Sequence, residues 1–356
     1  MDTNSKNKLP EIAFIVGMGR SGTTLLTNML NSHPKVIATP ENEFVLFSYS
    51  SFFKKKFDNE TTIRAFLNLF SYNFSKIVSI WKPSADLEKD IHHLQDKTYA
   101  NVCKLAYLNF PLAHKNKADV SYVIDKNPIY SLHIDQMNAI YPNSKFIVLV
   151  RDFRDNAVSR KKYGNTKDSI FMLAASWNYF YKQIFSSLKK HDINHINIRY
   201  EDLASNPENT LKTISEYLNI EYSQSMLHFQ EHIDKTKDYA KQNLSSEVFE
   251  KITEMHSNLY KDVNTNRVKS YEKELDKKEI SILNFFCKEY GRKFNYIDDN
   301  SALLTDSKFL WKLNFFFNNT KLHLYYMLTA IYFNLPVSLR LKFLKKQVQS
   351  SFNQLS

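Results

Sequence analysis

The sequence predicts an α/β protein: a central parallel sheet with a phosphate-loop-like first turn, flanked by helices and followed by a helical C-terminal extension. Three observations carry this. Short β-branched runs alternate with longer helical patterns. Three of those runs have few polar interruptions, as strands covered on both faces require. The first run ends in a glycine-framed turn that opens a helix. The expected strands are IAFIV (12–16), YVI (122–124), KFIVLV (145–150) and HINIR (195–199). Apolar periodicity predicts helices over 23–32, through a strongly helical block from about 60 to 110, and over 131–141, 153–162, 168–190 and 207–218. EFVLFSYSSFF starts a further helix near residue 44. With 5 glycines, the loops must be built from Asn, Asp, Ser and Lys. The polar stretch NYIDDNSALLTDS sets a boundary, dividing the chain into residues 1–297 and an amphipathic extension, 298–356.

At 356 residues and 43% hydrophobic content the chain is long enough for a substantial core, which excludes a disordered chain as the default. Its net charge of +11 points to anionic partners: phosphates, sulfates, nucleic acid or a membrane surface. The cysteines, Cys103 and Cys287, are far apart, so neither a disulfide framework nor a thiolate metal site is expected. A reducing, cytoplasmic setting follows as the expectation, and the apolar burst at 12–16 is too short for a signal peptide. Near the C-terminus, Lys312, Lys321, Asn334 and Pro336 interrupt each apolar run before it reaches about 18 residues. These runs predict amphipathic helices rather than a membrane span. Trp311, paired tyrosines and flanking lysines further predict contact with a membrane surface, leaving the protein peripheral to it, or with an oligomer partner.

Chemistry concentrates in FIVGMGRSGTTLL, residues 14–26. Gly17 and Gly22 have the GxxxxG spacing of a phosphate loop, after a strand and before a helix. A nucleotide hydrolase would continue with Lys and then Ser or Thr, whereas this chain continues with Thr23 and Thr24. What remains is a nest of backbone N–H groups at a helix N-terminus, with Arg20, Ser21, Thr23 and Thr24 adding charge and hydroxyls. Such a nest suits a terminal phosphate or sulfate without a triphosphate and without a metal. Arg20 offers a planar, permanently charged fork for two such oxygens.

GMGRSGTTLLTNMLNSHPKVIATPENEF resembles the 5'-phosphosulfate loop of the sulfotransferases that use 3'-phosphoadenosine 5'-phosphosulfate (PAPS), especially their Golgi-type and bacterial branches. KFIVLVRDFRDNAVSRKKYG resembles that family's 3'-phosphate segment, with Arg151 at the strand end and Ser159 eight residues on. YVIDKNPIY falls where the family has a Lys-x-Pro element, and INIRYEDLASNPENTLKTISEYLNI resembles its last strand, turn and helix. The resemblance spans roughly 11–297. It implies a sulfotransferase with PAPS as donor, held by Gly19, Arg20, Ser21, Gly22, Thr23 and Thr24, by Arg151 and Ser159 at the 3'-phosphate, and by Tyr200 against the adenine. It implies a leaving-group or sulfuryl contact for Lys126, and a carboxylate base at Glu41. Glu43 stays open as the alternative base, and Glu41 has an alternative role as a helix cap. Arg151 has the alternative of pairing with Asp152 or Asp155. His33 and His133 are expected to be structural, and Lys269 matches a basic loop of the family only loosely.

In-line sulfuryl transfer needs charge stabilised on the leaving phosphate and a proton removed from the acceptor, and it requires no metal. The helical block at about 44–110 is expected to wall the acceptor pocket. A glycan, a tyrosine peptide and a small hydroxylated molecule all stay open as acceptors, and no nucleic acid is expected. Two alternatives compete: a Mg-dependent kinase or NTPase, and a noncatalytic module that docks on anions or membranes through runs such as FFKKKFDN.

Overall fold

Five strands form the sheet: β1 (Glu11–Val16), β2 (Val36–Ala38), β3 (Tyr122–Lys126), β4 (Lys145–Val150) and β5 (His195–Arg199). Their order is β2-β3-β1-β4-β5 and every pairing is parallel. The computed structural model describes residues 9–76, 86–110, 119–163, 168–243, 246, 249–250, 253, 263–297, 308–340 and 342. The four expected strands are all present, and β3 runs on to Lys126. The fifth, β2, is not legible in the sequence: three apolar residues between HPK and TP have no period of their own. Pairing with β3, Val36 beside Tyr122, makes them a strand.

Alternate residues of each strand enter different cores. Phe14, Val16, Val123, Phe146 and Val148 join the helices of one face. Ala13, Ile15, Ile124, Ile147 and Leu149 join α1 (Thr23–Asn31) and α10 (Pro207–Leu218) on the other. The first face is covered by α2 (Phe44–Phe52), α5 (Tyr99–Leu108), α6 (Ile134–Ile140), α7 (Phe153–Tyr163) and α8 (Ile170–Lys190). The expected helical block resolves into α3 (Glu60–Lys76), α4 (Asp86–His93) and α5, with residues 77–85 outside the described ones. The helix expected over 131–141 is split into a 3-10 turn, Pro128–Leu132, and α6, with His133 at the junction. After β5 come α9 (Tyr200–Ser205), α10 and α11 (Gln230–Asn243). Several starts carry the cap that their sequence offers: Ser169 accepts from Met172 N at 3.2 Å, and Asp276 with Glu279 closes a capping box.

Shorter helices follow at Tyr271–Glu274, Lys277–Phe286 and Lys288–Lys293, then the long C-terminal helix Lys308–Asn334. Residues 298–307, most of the expected boundary, lie outside the described ones. The C-terminal helix lies along α8, with Tyr326 stacked on Tyr179 at 4.9 Å and Phe315 on Phe286 at 4.1 Å. It departs from the amphipathic expectation, because apolar side chains occupy its outward face as well as its inward one. Among the described residues no helix is long and apolar enough to cross a membrane.

Candidate functional site

The turn between β1 and α1 lies at the carboxyl edge of the sheet, where open α/β folds assemble their sites. Two of its glycines are required by close approach. A β-carbon on Gly17 would strike the Leu149 carbonyl, and one on Gly22, whose φ is 91°, would strike the Tyr200 ring. At Gly19 a β-carbon would meet nothing within 4 Å, so space is open over the middle of the turn. Arg20 adopts a left-handed backbone with φ 70°. Neighbours hold this backbone in place. Gly17 N donates to Ser131 Oγ at 2.9 Å, and that hydroxyl donates to Gly17 O at 3.1 Å. Asn156 Nδ2 donates to Gly19 O at 3.0 Å and to Ser21 Oγ at 3.2 Å.

Beside the turn is a cationic cluster. Arg20 Nε donates to Ser159 Oγ at 3.3 Å, on the second turn of α7. Arg151, just past β4, donates from Nη1 to Arg20 O at 3.0 Å and from Nη2 to Arg267 O at 2.8 Å. Its guanidinium lies over the Tyr200 ring, 4.5 Å from the centroid, and its buried Nε has no hydrogen-bond partner. The alternative partners of Arg151 are engaged elsewhere. Asp152 accepts from Arg154 Nε at 2.9 Å and from Nη2 at 2.6 Å. Asp155 accepts from Lys269 N at 2.8 Å, Ser270 Oγ at 2.9 Å and Tyr271 N at 2.9 Å, which fastens the segment 263–271 to α7.

A second cluster stands at the end of β3. Lys126 Nζ donates to Thr24 Oγ1 at 3.2 Å and to Glu41 Oε1. The lysine side chain is buried, 3% exposed, whereas that of Glu41 is 51% exposed, so the carboxylate faces the open side of the pair. At the start of α2 the N-cap position is Glu43, without a side-chain cap hydrogen bond, and Asn42 Oδ1 accepts from Phe44 N at 2.8 Å. Burial, then the nearby Glu41, raises the Glu43 carboxyl above its ordinary range. Beneath Lys126, Asp125 is fully buried and its Oδ2 accepts from Tyr107 Oη. Burial pushes its carboxyl up to about 7, against the opposing pull of Tyr107 and Lys126.

Both histidines set aside as structural are held in the frame. His33 Nδ1 accepts from Lys35 N at 3.1 Å, so Nε2–H donates to Glu221 O at 2.8 Å. His133 is buried, which lowers its imidazole to about 4 and keeps it neutral. The structure brings Gly19–Thr24, Arg151, Ser159 and Tyr200 into one cluster, with Glu41 and Lys126 beside Thr24. It adds Ser131, Asn156 and Arg267, which were not named from the sequence, and makes Asp155, read there only as an alternative partner of Arg151, the anchor of residues 269–271. Asp155 and Asn156 stand inside the RDFRDNAVSR match, one helical turn before Ser159, and that spacing was the available signal. For Arg267 the signal was the loose match to the family's basic loop, which the sequence reading attached to Lys269, two residues on.

The family model described as "Sulfotransferase family" matches residues 11–224. Among curated proteins, a putative protein-tyrosine sulfotransferase of Caenorhabditis briggsae is 25% identical over 242 residues, 66% of this chain and 75% of that protein. Protein-tyrosine sulfotransferase 1 of Danio rerio is 25% identical over 64% of this chain and 59% of that protein. The human protein of that name is 24% identical over 63% and 55%. The chain thus spans less than two thirds of the zebrafish and human relatives. Among solved structures, the sulfotransferase domain of the Synechococcus PCC 7002 olefin synthase superposes with a TM-score of 0.52. It is 17% identical and covers 82% of this chain and 97% of that one, a likeness of fold.

Proposed function

The chain belongs to the sulfotransferase family, and on that premise we propose that it moves a sulfuryl group from PAPS to the phenolic hydroxyl of a protein tyrosine. One observation carries the donor reading. A phosphate-loop backbone without the nucleotide-hydrolase lysine is flanked by Arg20, Arg151 and Ser159, a set suited to a nucleotide with phosphate at both ends. The buried, partnerless Nε of Arg151 and the open space over Gly19 fit such a ligand. The names of the nematode, zebrafish and human relatives favour tyrosine over the glycan considered from sequence.

In this reading the N–H groups of residues 19–24 and the Arg20 guanidinium hold the phosphosulfate. Arg151, Ser159 and Arg267 hold the 3'-phosphate, and Tyr200 supports the adenine. Bound PAPS supplies the sulfuryl group on a phosphate leaving group. Glu41 accepts the phenolic proton as the acceptor oxygen forms its bond to sulfur and the sulfur–oxygen bond to the donor breaks. Lys126 offsets the charge left on the departing phosphate. Lys126 also donates to Glu41, which places the carboxylate beside Thr24 of the turn that would hold the phosphosulfate.

Calorimetry with adenosine 3',5'-bisphosphate, against ATP with and without magnesium, tests the donor half. Metal-independent binding that Arg151→Ala abolishes is expected, and binding of ATP with magnesium alone would restore the kinase reading. For the acceptor half, labelled PAPS should transfer sulfate to a tyrosyl peptide, with kcat reduced about a hundredfold or more in Glu41→Gln. Bisphosphate binding with transfer only to a glycan would overturn the tyrosine assignment alone.

A further inference from the structure

The C-terminal helix is held in a fixed orientation and still leaves an apolar face uncovered. Its inward stripe, Trp311, Leu322 and Phe333, is buried, with Phe315 and Tyr326 stacked on Phe286 and Tyr179. Its far end is fastened to α2. Ser50 Oγ donates to Leu335 O at 3.1 Å, and the buried Arg340 donates to Phe47 O and to Ser50 Oγ. On the opposite side Phe309, Phe316, Phe317, Leu324, Leu328 and Ile331 are each more than half exposed. At 3.6 residues per turn these six fall within about a third of the circumference. Lys312 and Lys321, both exposed, border that face on its two sides. A helix that is apolar all round is normally covered on both sides, and a largely apolar exposed face, here with Thr320 within it, marks an interaction surface.

Charge decides what covers it. From residue 308 to the C-terminus the sequence carries Lys308, Lys312, Lys321, Arg340, Lys342, Lys345 and Lys346, and no Asp or Glu. Lys54, Lys55 and Lys56, which follow α2, are exposed as well. A second copy seated on this face would bring cationic borders together with no acidic group of the segment to pair them. An anionic bilayer surface meets both demands: apolar side chains enter the acyl boundary while lysines at the borders reach the headgroups. We propose that the C-terminal helix lies on an anionic lipid surface, parallel to it, as the membrane-docking face of the protein.

The test is flotation of the full chain with phosphatidylserine-containing vesicles, against pure phosphatidylcholine vesicles, at low and high salt. The protein should float with the anionic vesicles at low salt and lose binding at least tenfold on phosphatidylcholine. Phe317→Asp/Leu324→Asp should lower flotation at least tenfold, and Lys312→Glu/Lys321→Glu should remove the lipid-charge preference. Unchanged affinity for adenosine 3',5'-bisphosphate serves as the folding control for both variants. Two results would overturn the proposal: equal flotation with the two lipids or none, or a concentration-dependent dimer that Phe317→Asp/Leu324→Asp dissolves.

Discussion

Asp125 is a carboxyl with no water to face: fully buried, one oxygen bonded to Tyr107 and the other without a partner. Its pKa is raised from 3.8 to about 7, which means that folding favours the protonated form. The stabilisation is therefore complete below about pH 4 and is lost as pH rises through 7, a swing on the order of 4 kcal/mol for one group. Asp125→Asn keeps an acceptor for Tyr107 and removes the ionisation. Relative to the parent it should melt several degrees higher at pH 8 and nearly level with it at pH 4, a comparison that cancels the opposing contribution of His133. An equal Tm difference at both pH values would show that the group does not titrate in this range. At this scale the clustering of Arg20, Arg151, Ser159 and Tyr200 was legible, because an anion nest needs glycines, hydroxyls and a guanidinium in one short stretch. Glu41's ion pair with Lys126 was not legible, since 85 residues separate two side chains that the β2–β3 pairing, Ala38 beside Ile124, brings together.

At the scale of elements, α7 does more than supply Ser159. Its first turn carries Asp155, three of whose hydrogen bonds hold residues 269–271, and that segment's Arg267 carbonyl caps Arg151. Breaking the anchor should loosen the far wall of the proposed donor site while leaving the turn after β1 intact. In Asp155→Ala, the buried N–H of Tyr271 and the part-buried N–H of Lys269 lose their acceptor, a cost of about 1–3 kcal/mol. Hydrogen exchange should quicken selectively across 263–271, and affinity for adenosine 3',5'-bisphosphate should fall about tenfold or more. Exchange confined to its parent rate would refute the anchor. The sheet itself was mostly readable, because strands buried on both faces form β-branched runs that stand out from amphipathic helices. The element that escaped, β2, is three residues long and is a strand only through the register that β3 imposes. The His133 break, too, is set by packing rather than by any helix-ending residue.

On the scale of the whole molecule, the division of the chain at 297/298 remains a proposal about organisation, not about independent stability. The C-terminal helix covers Tyr179 and Phe180 of α8 and Phe286 of the helix Lys277–Phe286, and the buried Arg340 that follows it reaches the Phe47 carbonyl and the Ser50 hydroxyl of α2. Those same elements back the site: Trp177 of α8 donates to Arg151 O at 3.1 Å, and α2 begins just after Glu41. Removing the helix would expose aromatic surface along α8, and each large apolar side chain returned to water costs about 1.5–3 kcal/mol. A chain stopped at residue 307 should therefore show a Tm lowered by many degrees and a raised tendency to aggregate, with the full chain unfolding in one transition. Two transitions in calorimetry, the second matching the truncated chain, would instead mean that the extension folds apart from the sheet. The single transition follows from the packing: the inward stripe is shared between the extension and the elements that hold the site, so neither keeps its core when the other leaves.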